Sequence, residues 1–191
     1  MVAMAGQKTL LALGALLLGS GCASTVAADP STADGEALLM ALDDEYRAEA
    51  TYAAILDAFG EVRPFVNIIE AERRHADCAK AELDRLGITY ESTNPYLGSI
   101  AAPATLLEAC EQGVTAEIEN IELYDRIIPA VEDEQVREIL GRLQWASRER
   151  HLPAFERCVA RGGVMGRGKG HGQGRGKGRG QGQGEGHGPR N

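Results

Sequence analysis

Four stretches of this chain carry apolar residues in steps of three and four, and each has a charged or imidazole side chain in the middle of its apolar stripe. Steps of that size put residues on one face of a helix, so every segment is predicted to be a helix with an inward face. No segment alternates as a strand would. The first helix is predicted over about Asp34 to Phe59, with Ser31 to Asp34 offering caps and Gly60 a stop. The second runs from about Pro64 to Leu86 before Gly87. The link between them is short, so they are expected to lie antiparallel. Residues 88 to 102, "ITYESTNPYLGSIAA", are rich in turn formers and long enough to travel the length of a bundle. The third helix is predicted over about Pro103 to Ile128 and the fourth over about Asp133 to Arg161, bent at Pro153. Gly113 and Gly141 inside the last two helices are read as points of close helix contact. The predicted fold is an all-α four-helix bundle made of two related helical hairpins joined by a long crossover.

The inward stripes read Leu38, Leu42, Glu45, Glu49, Tyr52, Leu56, Phe59 in the first helix and Phe65, Ile68, Glu72, His75, Ala79, Leu83, Leu86 in the second. In the third they read Leu107, Cys110, Val114, Glu117, Ile121, Tyr124, Ile128, and in the fourth Val136, Leu140, Leu143, Ser147, His151, Ala154, Cys158. The same depth is polar in all four. Carboxylates grouped in a dry interior repel one another and take up protons unless a multivalent cation neutralises them. Glu45, Glu49, Glu72, His75, Glu117 and His151 are therefore candidate metal ligands. Buried ion pairs with Arg73, Arg74, Arg148 or Arg150 are the competing explanation. Hard carboxylates with imidazoles suit iron, as one or two non-haem ions, with manganese or zinc as alternatives.

These residues resemble the ferritin-like superfamily, and within it the domain-of-unknown-function family DUF2202. The likeness covers residues 34 to 161 and rests on "DDEYRAEATY", "FVNIIEAERRH", "AEIENIELYD" and "ASRERHLPAF". The superfamily pattern is a Glu, a Glu-x-x-His, a second Glu and a second Glu-x-x-His on successive helices. It maps onto Glu45, Glu72 with His75, Glu117, and His151. Arg148 stands three residues before His151, so the second Glu-x-x-His is broken. Either Glu49 supplies the fourth carboxylate, with Glu149 and Glu156 ranked below it, or the site is lopsided. The resemblance implies a non-haem iron oxidoreductase that oxidises ferrous iron or reduces peroxide. The broken motif favours instead a non-catalytic metal-binding or structural envelope protein. An internal duplication accompanies this pattern: "EYRAEATY" from Glu45 matches "EIENIELY" from Glu117 at its ends, and Tyr52 and Tyr124 are read as core aromatics with bonded hydroxyls.

Residues 110 and 158 lie seven before Glu117 and seven after His151, about 10.5 Å along each helix axis. On antiparallel helices both displacements point to one end of the bundle, which predicts a Cys110–Cys158 disulfide and leaves Cys78 free in the interior.

The ends of the chain differ in kind from its middle. Lys8, the apolar run Leu10 to Leu18 and the small residues after it read as an export signal within residues 1–28. "LLLGSGC" resembles a lipoprotein signal, making Cys22 the lipidated residue and a membrane anchor; ordinary cleavage near "TVAAD" is the alternative. The expected location is periplasmic or anchored at a membrane. Residues 29–162 form the bundle. Residues 163–191 have glycine at nearly every second place, and six Lys or Arg against one acid give them a net charge of +5. That leaves −13 of the overall −8 for residues 1–162. Such a tail is expected to be disordered, suited to an anionic partner and not to specific nucleic-acid recognition, with His171 and His187 able to pick up metal loosely.

Overall fold

The computed structural model describes residues 32–164. The predicted export signal, Cys22, the glycine-rich tail and its two histidines lie outside the described residues. Within them the chain is all-α, a bundle of four rods: α1 (Ala33–Phe59), α2 (Phe65–Leu86), α3 (Leu106–Ile127), and a fourth rod formed by α4 (Glu134–Ala146) and α5 (Leu152–Ala160) joined through a π turn (Ser147–His151). No described helix is long and apolar enough to cross a membrane.

Local chemistry sets the ends. Thr32 caps α1 by accepting from the Gly35 amide. The third helix begins three residues later than predicted, because Thr105 and Glu108 form a reciprocal capping box that outcompetes Pro103 as a start signal. Gly87 closes α2 in the left-handed conformation, at φ 71°. Asp133 caps α4 through the amides of Gln135 and Val136.

The fourth rod departs from the single bent helix that Pro153 predicts. Proline has no amide hydrogen, and its ring crowds the carbonyl four residues back, here that of Glu149. The chain widens into a π turn just before it, in which the Leu152 amide donates to the Ser147 carbonyl. Beyond the π turn Phe155, four residues after His151, points inward where Ala154, three residues after it, was expected.

The first hairpin packs α1 on α2, and the second packs α3 on α5 and the π turn. Between them the crossover is tied to α1. The Tyr46 hydroxyl donates to the carbonyls of Glu91 and Ser92, Asn94 Nδ2 donates to the Tyr46 carbonyl, and the Tyr96 hydroxyl donates to Asp43 at 2.6 Å. Apolar packing falls into two clusters. One contains Leu38, Leu42, Leu83, Tyr124 and Leu140; the other contains Tyr52, Ile55, Phe65, Ile68 and Phe155. The polar layer lies between them.

At the second cluster's end, Tyr52, Phe65 and Phe155 meet ring to ring, with centroids 5.2 to 5.7 Å apart. Gly113 makes this possible: a Cβ there would lie 2.5 Å from the Phe155 ring. Gly141, in contrast, faces open space and is no contact point. The Cys110–Cys158 disulfide closes the same end, with Cα atoms 5.8 Å apart. Cys78 is free, as predicted, but exposed. The buried positions of α2 run through Glu72, Ala76, Ala79 and Leu83, and Cys78 falls off that line.

Candidate metal site

Glu72 sits at the centre of the polar layer. Its Oε2 lies 2.9 Å from His75 Nδ1 and its Oε1 lies 3.1 Å from His151 Nδ1, so one carboxylate spans two imidazoles from different rods. The rings are nearly parallel, with centroids 5.5 Å apart. Glu45 and Glu117 flank this core. Glu45 Oε2 is 3.4 Å from His75 Nδ1, and Glu117 Oε2 is 3.5 Å from His151 Nδ1. Glu72, His75 and His151 bring ligand atoms within 4.8 Å of one another and form a group that could hold a metal ion.

The outer oxygens of the flanking acids are held by tyrosines in a crossed pattern. Tyr124 on α3 donates to Glu45 Oε1 on α1 at 2.9 Å, and Tyr52 on α1 donates to Glu117 Oε1 on α3 at 2.9 Å. Both tyrosines are thus core aromatics with bonded hydroxyls. The repeated Glu and Tyr of the two hairpins exchange partners across the bundle.

Electrostatics follow from burial without a fixed counter-ion. Burial, reinforced by the charge on Glu72, pushes the Glu45 carboxyl up to about 8. Burial also raises Glu117. Burial alone would push Glu72 up too, but the two histidines pull it well below the ordinary carboxylate range. Burial disfavours a charged His75, yet Glu45 and Glu72 outweigh that and hold it at about 9. His151 is held at about 10 by Glu117 and Glu72 against the same opposition. The metal-free site is a proton-sharing cluster.

Glu82 provides an internal contrast. It is equally buried, but Arg85 lies 2.7 Å from its Oε2 and Gln135 donates to its Oε1, so its charge is balanced locally. Among the described residues the central acids have no such partner. Arg73 pairs with Glu49 and Glu70, Arg148 pairs with Asp125, and Arg150 stacks over Trp145. Explaining the inward acids by arginine pairing therefore fails for Glu45, Glu72 and Glu117.

It succeeds for Glu49. That carboxylate is turned away from the cluster and fixed by Arg73 at 2.9 Å and by Asn94 Nδ2 of the crossover at 2.9 Å. Four residues after Glu45 is slightly more than one turn, which carries Glu49 round toward the crossover. Glu149 and Glu156 are exposed. Of the six predicted ligands, the structure brings together Glu45, Glu72, His75, Glu117 and His151, and leaves Glu49 apart.

Besides Glu82, two polar residues beside the cluster escaped sequence reading. Asn120, buried on α3, donates from Nδ2 to Asp44 on α1, and its Oδ1 has no hydrogen-bond partner. Both line a cavity of about 150 Å³ between α1 and α3, which also reaches Glu45, Glu72, Glu117 and Ser147. Burial raises the carboxyl of Asp44. Their signal was weak because each neighbours or nearly neighbours a residue of the apolar stripe. On the opposite side, between α2 and the fourth rod, a groove lined by Asn67, Ala71 and Arg150 reaches His75 and His151.

The residues fit a metal on an observation independent of any family pattern. His151 Nδ1 is buried with no partner in good hydrogen-bonding geometry, although Glu72 Oε1 lies 3.1 Å and Glu117 Oε2 3.5 Å from it. A buried ring nitrogen is rarely left so, and a cation between it and the carboxylates would satisfy all of them.

No protein-family model matches the chain, and no curated protein matches it. Among solved structures, the chain is similar to the hypothetical protein MJ0754 from Methanococcus jannaschii DSM 2661, with a TM-score of 0.60 and 20% identity. The match covers 68% of this chain and 81% of that one, and it supports the helical-bundle fold.

Proposed function

We propose that this protein is an exported ferritin-like metalloprotein that binds one or two iron ions, with manganese or zinc as alternative occupants. The observation that carries this reading is Glu72 spanning His75 and His151, with Glu45 and Glu117 on either side and, among the described residues, no lysine or arginine paired with any of the three acids. Glu45 and His75 would hold one ion, Glu117 and His151 the other, and Glu72 would be shared. Bound iron would supply the redox chemistry of ferrous oxidation or peroxide reduction. The chain's own part is to fix the ligands, to anchor two of them through Tyr52 and Tyr124, and to shield the site along the bundle axis with the apolar clusters above and below.

The same positions bind protons or metal, so loading displaces the protons that His75 and His151 hold in the metal-free state. Near two irons per chain together with peroxide turnover would support the enzyme. A single redox-inert ion without turnover would support the second reading, a non-catalytic metal-binding or structural envelope protein. The absence of a carboxylate three residues before His151 favours that second reading. Either way, export is expected to leave Cys22 as a lipidated N-terminus, with the basic tail free for an anionic partner. Mass spectrometry of the mature N-terminus checks this, and an unlipidated start beyond Ala27 would exclude it.

A further inference from the structure

The outer face of α3 carries an exposed acidic stripe. Glu108, Glu111 and Glu119, with Gln112 and Thr115 between them, line a shallow groove along it. Glu108 Oε2 accepts from the Thr105 amide, but among the described residues no lysine or arginine pairs with any of the three acids. The groove borders the cavity between α1 and α3, since Gln112, Ala116 and Glu119 line both. Asn120, 7% exposed, lines that cavity too, and its Oδ1 acceptor is buried without a partner. Arg47 is the cation among the lining residues, and Asp43 and Tyr96 already engage it. Unpaired acids outside and an unmet acceptor inside both call for a segment rich in positive charge and hydrogen-bond donors.

Such a segment begins where the stripe begins. Gly162 and Gly163, at φ 65° and 77°, end the fourth rod. Gly163 rests on the backbone of Leu106 and Leu107, where a Cβ would lie 2.7 Å from the Leu107 amide nitrogen. The chain therefore leaves the bundle against α3, one residue before Glu108. Residues 165–191 follow, with six Lys or Arg and one Glu. The stripe from Glu108 to Glu119 is about 16 Å long at the helical rise. An extended chain covers about 3.3 Å per residue, so Arg167 and Lys169 reach along it and Arg175, Lys177 and Arg179 reach all of it with slack. We infer that residues 165–191 dock on their own body, laying basic side chains along Glu108, Glu111 and Glu119 and covering the outer side of the cavity that leads to Glu45, Glu72 and Glu117. Each exposed pair is weak alone, but the tether supplies a local concentration in the millimolar range and several pairs act together. The first anionic partner of the tail is then this chain's own α3, ahead of any external one. While docked, the tail stands between solution and the polar layer as an autoinhibitory cover. The inference needs no metal in the site.

Zero-length carbodiimide cross-linking of the intact mature protein, read by peptide mass spectrometry, tests the contact. Lysines are few: Lys8 falls in the expected export signal, Lys80 on α2 lies 3.4 Å from Asp77, and Lys169 and Lys177 are in the tail. The Lys80–Asp77 product serves as internal reference. Lys169 and Lys177 are expected to join Glu108, Glu111 or Glu119 within one chain. Their yield should fall about fivefold or more against the reference in about 0.5 M NaCl, where the screening length is about 4 Å. Glu111→Gln leaves the other two acids in place and should lower the products at Glu108 and Glu119 about twofold or more, the effect of losing one exposed pair. Products spread evenly over exposed acids elsewhere, such as Glu61, Glu70 and Glu138, would overturn the inference. So would products found only between chains in a mixture of light and heavy protein, no tail products at all, or a yield indifferent to salt. Metal content is read separately, so failure here leaves the metal reading standing, and a protein without metal leaves this one standing.

Discussion

Tyr52 on α1 gives its hydroxyl proton to Glu117 on α3, and the bond is mirrored by the one from Tyr124 to Glu45. These crossed bonds join the two hairpins at the depth of the polar layer. Removing a donor from a buried carboxylate typically costs about 1–3 kcal/mol. Tyr52→Phe and Tyr124→Phe are each expected to lower unfolding free energy by about 1–2 kcal/mol in urea titration. By the symmetry of the arrangement the two losses should be similar. A loss confined to one of them would mean that the two halves of the site are not equivalent.

The disulfide should matter more than any single hydrogen bond. It closes a loop across a sequence separation of 48, for which the chain-entropy estimate is about 4 kcal/mol. Cys110→Ser or chemical reduction should therefore lower the melting temperature sharply. Modification of Cys78 should leave it within about a degree, since that thiol is exposed.

The two mid-helix glycines should respond in opposite directions. Gly113→Ala drives a methyl into the Phe155 ring and is expected to cost about 1–3 kcal/mol. Gly141→Ala meets nothing and should stabilise by up to about 1 kcal/mol through helix propensity. Thermal melts of the pair compare them directly.

Stability of the metal-free protein should fall as pH rises. His75 and His151 are held at about 9 and about 10 against an ordinary 6.5, and Glu45 at about 8 against 4.5. The folded state thus retains protons that the unfolded chain releases, and this contribution, complete at low pH, is lost as pH climbs through 8 to 10. Glu72, shifted the other way, contributes above 4.5 and loses its contribution in acid. The melting temperature of chelator-stripped protein should peak in mildly acidic buffer and fall by about 5 °C or more by pH 10. Loaded with metal, the same protein should bind more tightly as pH rises, because the ligands must shed protons.

Most of the polar layer was legible in the sequence because helical period alone decides which side chains look inward. Glu45, Glu72, His75, Glu117 and His151 needed nothing more, nor did the register that brings residues 110 and 158 together. Glu49 was misread because a stripe of seven positions is wider than the face that the neighbouring rods cover. Its pairing depends on Asn94, a crossover residue whose placement no periodicity encodes. Phe155 was missed because Ala154 and Phe155 stand three and four residues after His151 and both steps reach the same face, whereas Ser147 was on the inward stripe but, as a serine, carried no signal of a ligand. Cys78 and Gly141 show the same limit at smaller scale: a residue one step off the buried line can end in solvent.

Metal content of the natively purified protein, compared with Glu72→Ala and His75→Ala, bears most directly on the site. At least one iron, manganese or zinc ion per chain should accompany the unaltered protein and be lost in Glu72→Ala, with His75→Ala retaining less than the full complement. A protein that carries no metal above background, and whose melting temperature ignores both added ions and chelators, would contradict it and leave the five side chains as a proton-sharing cluster.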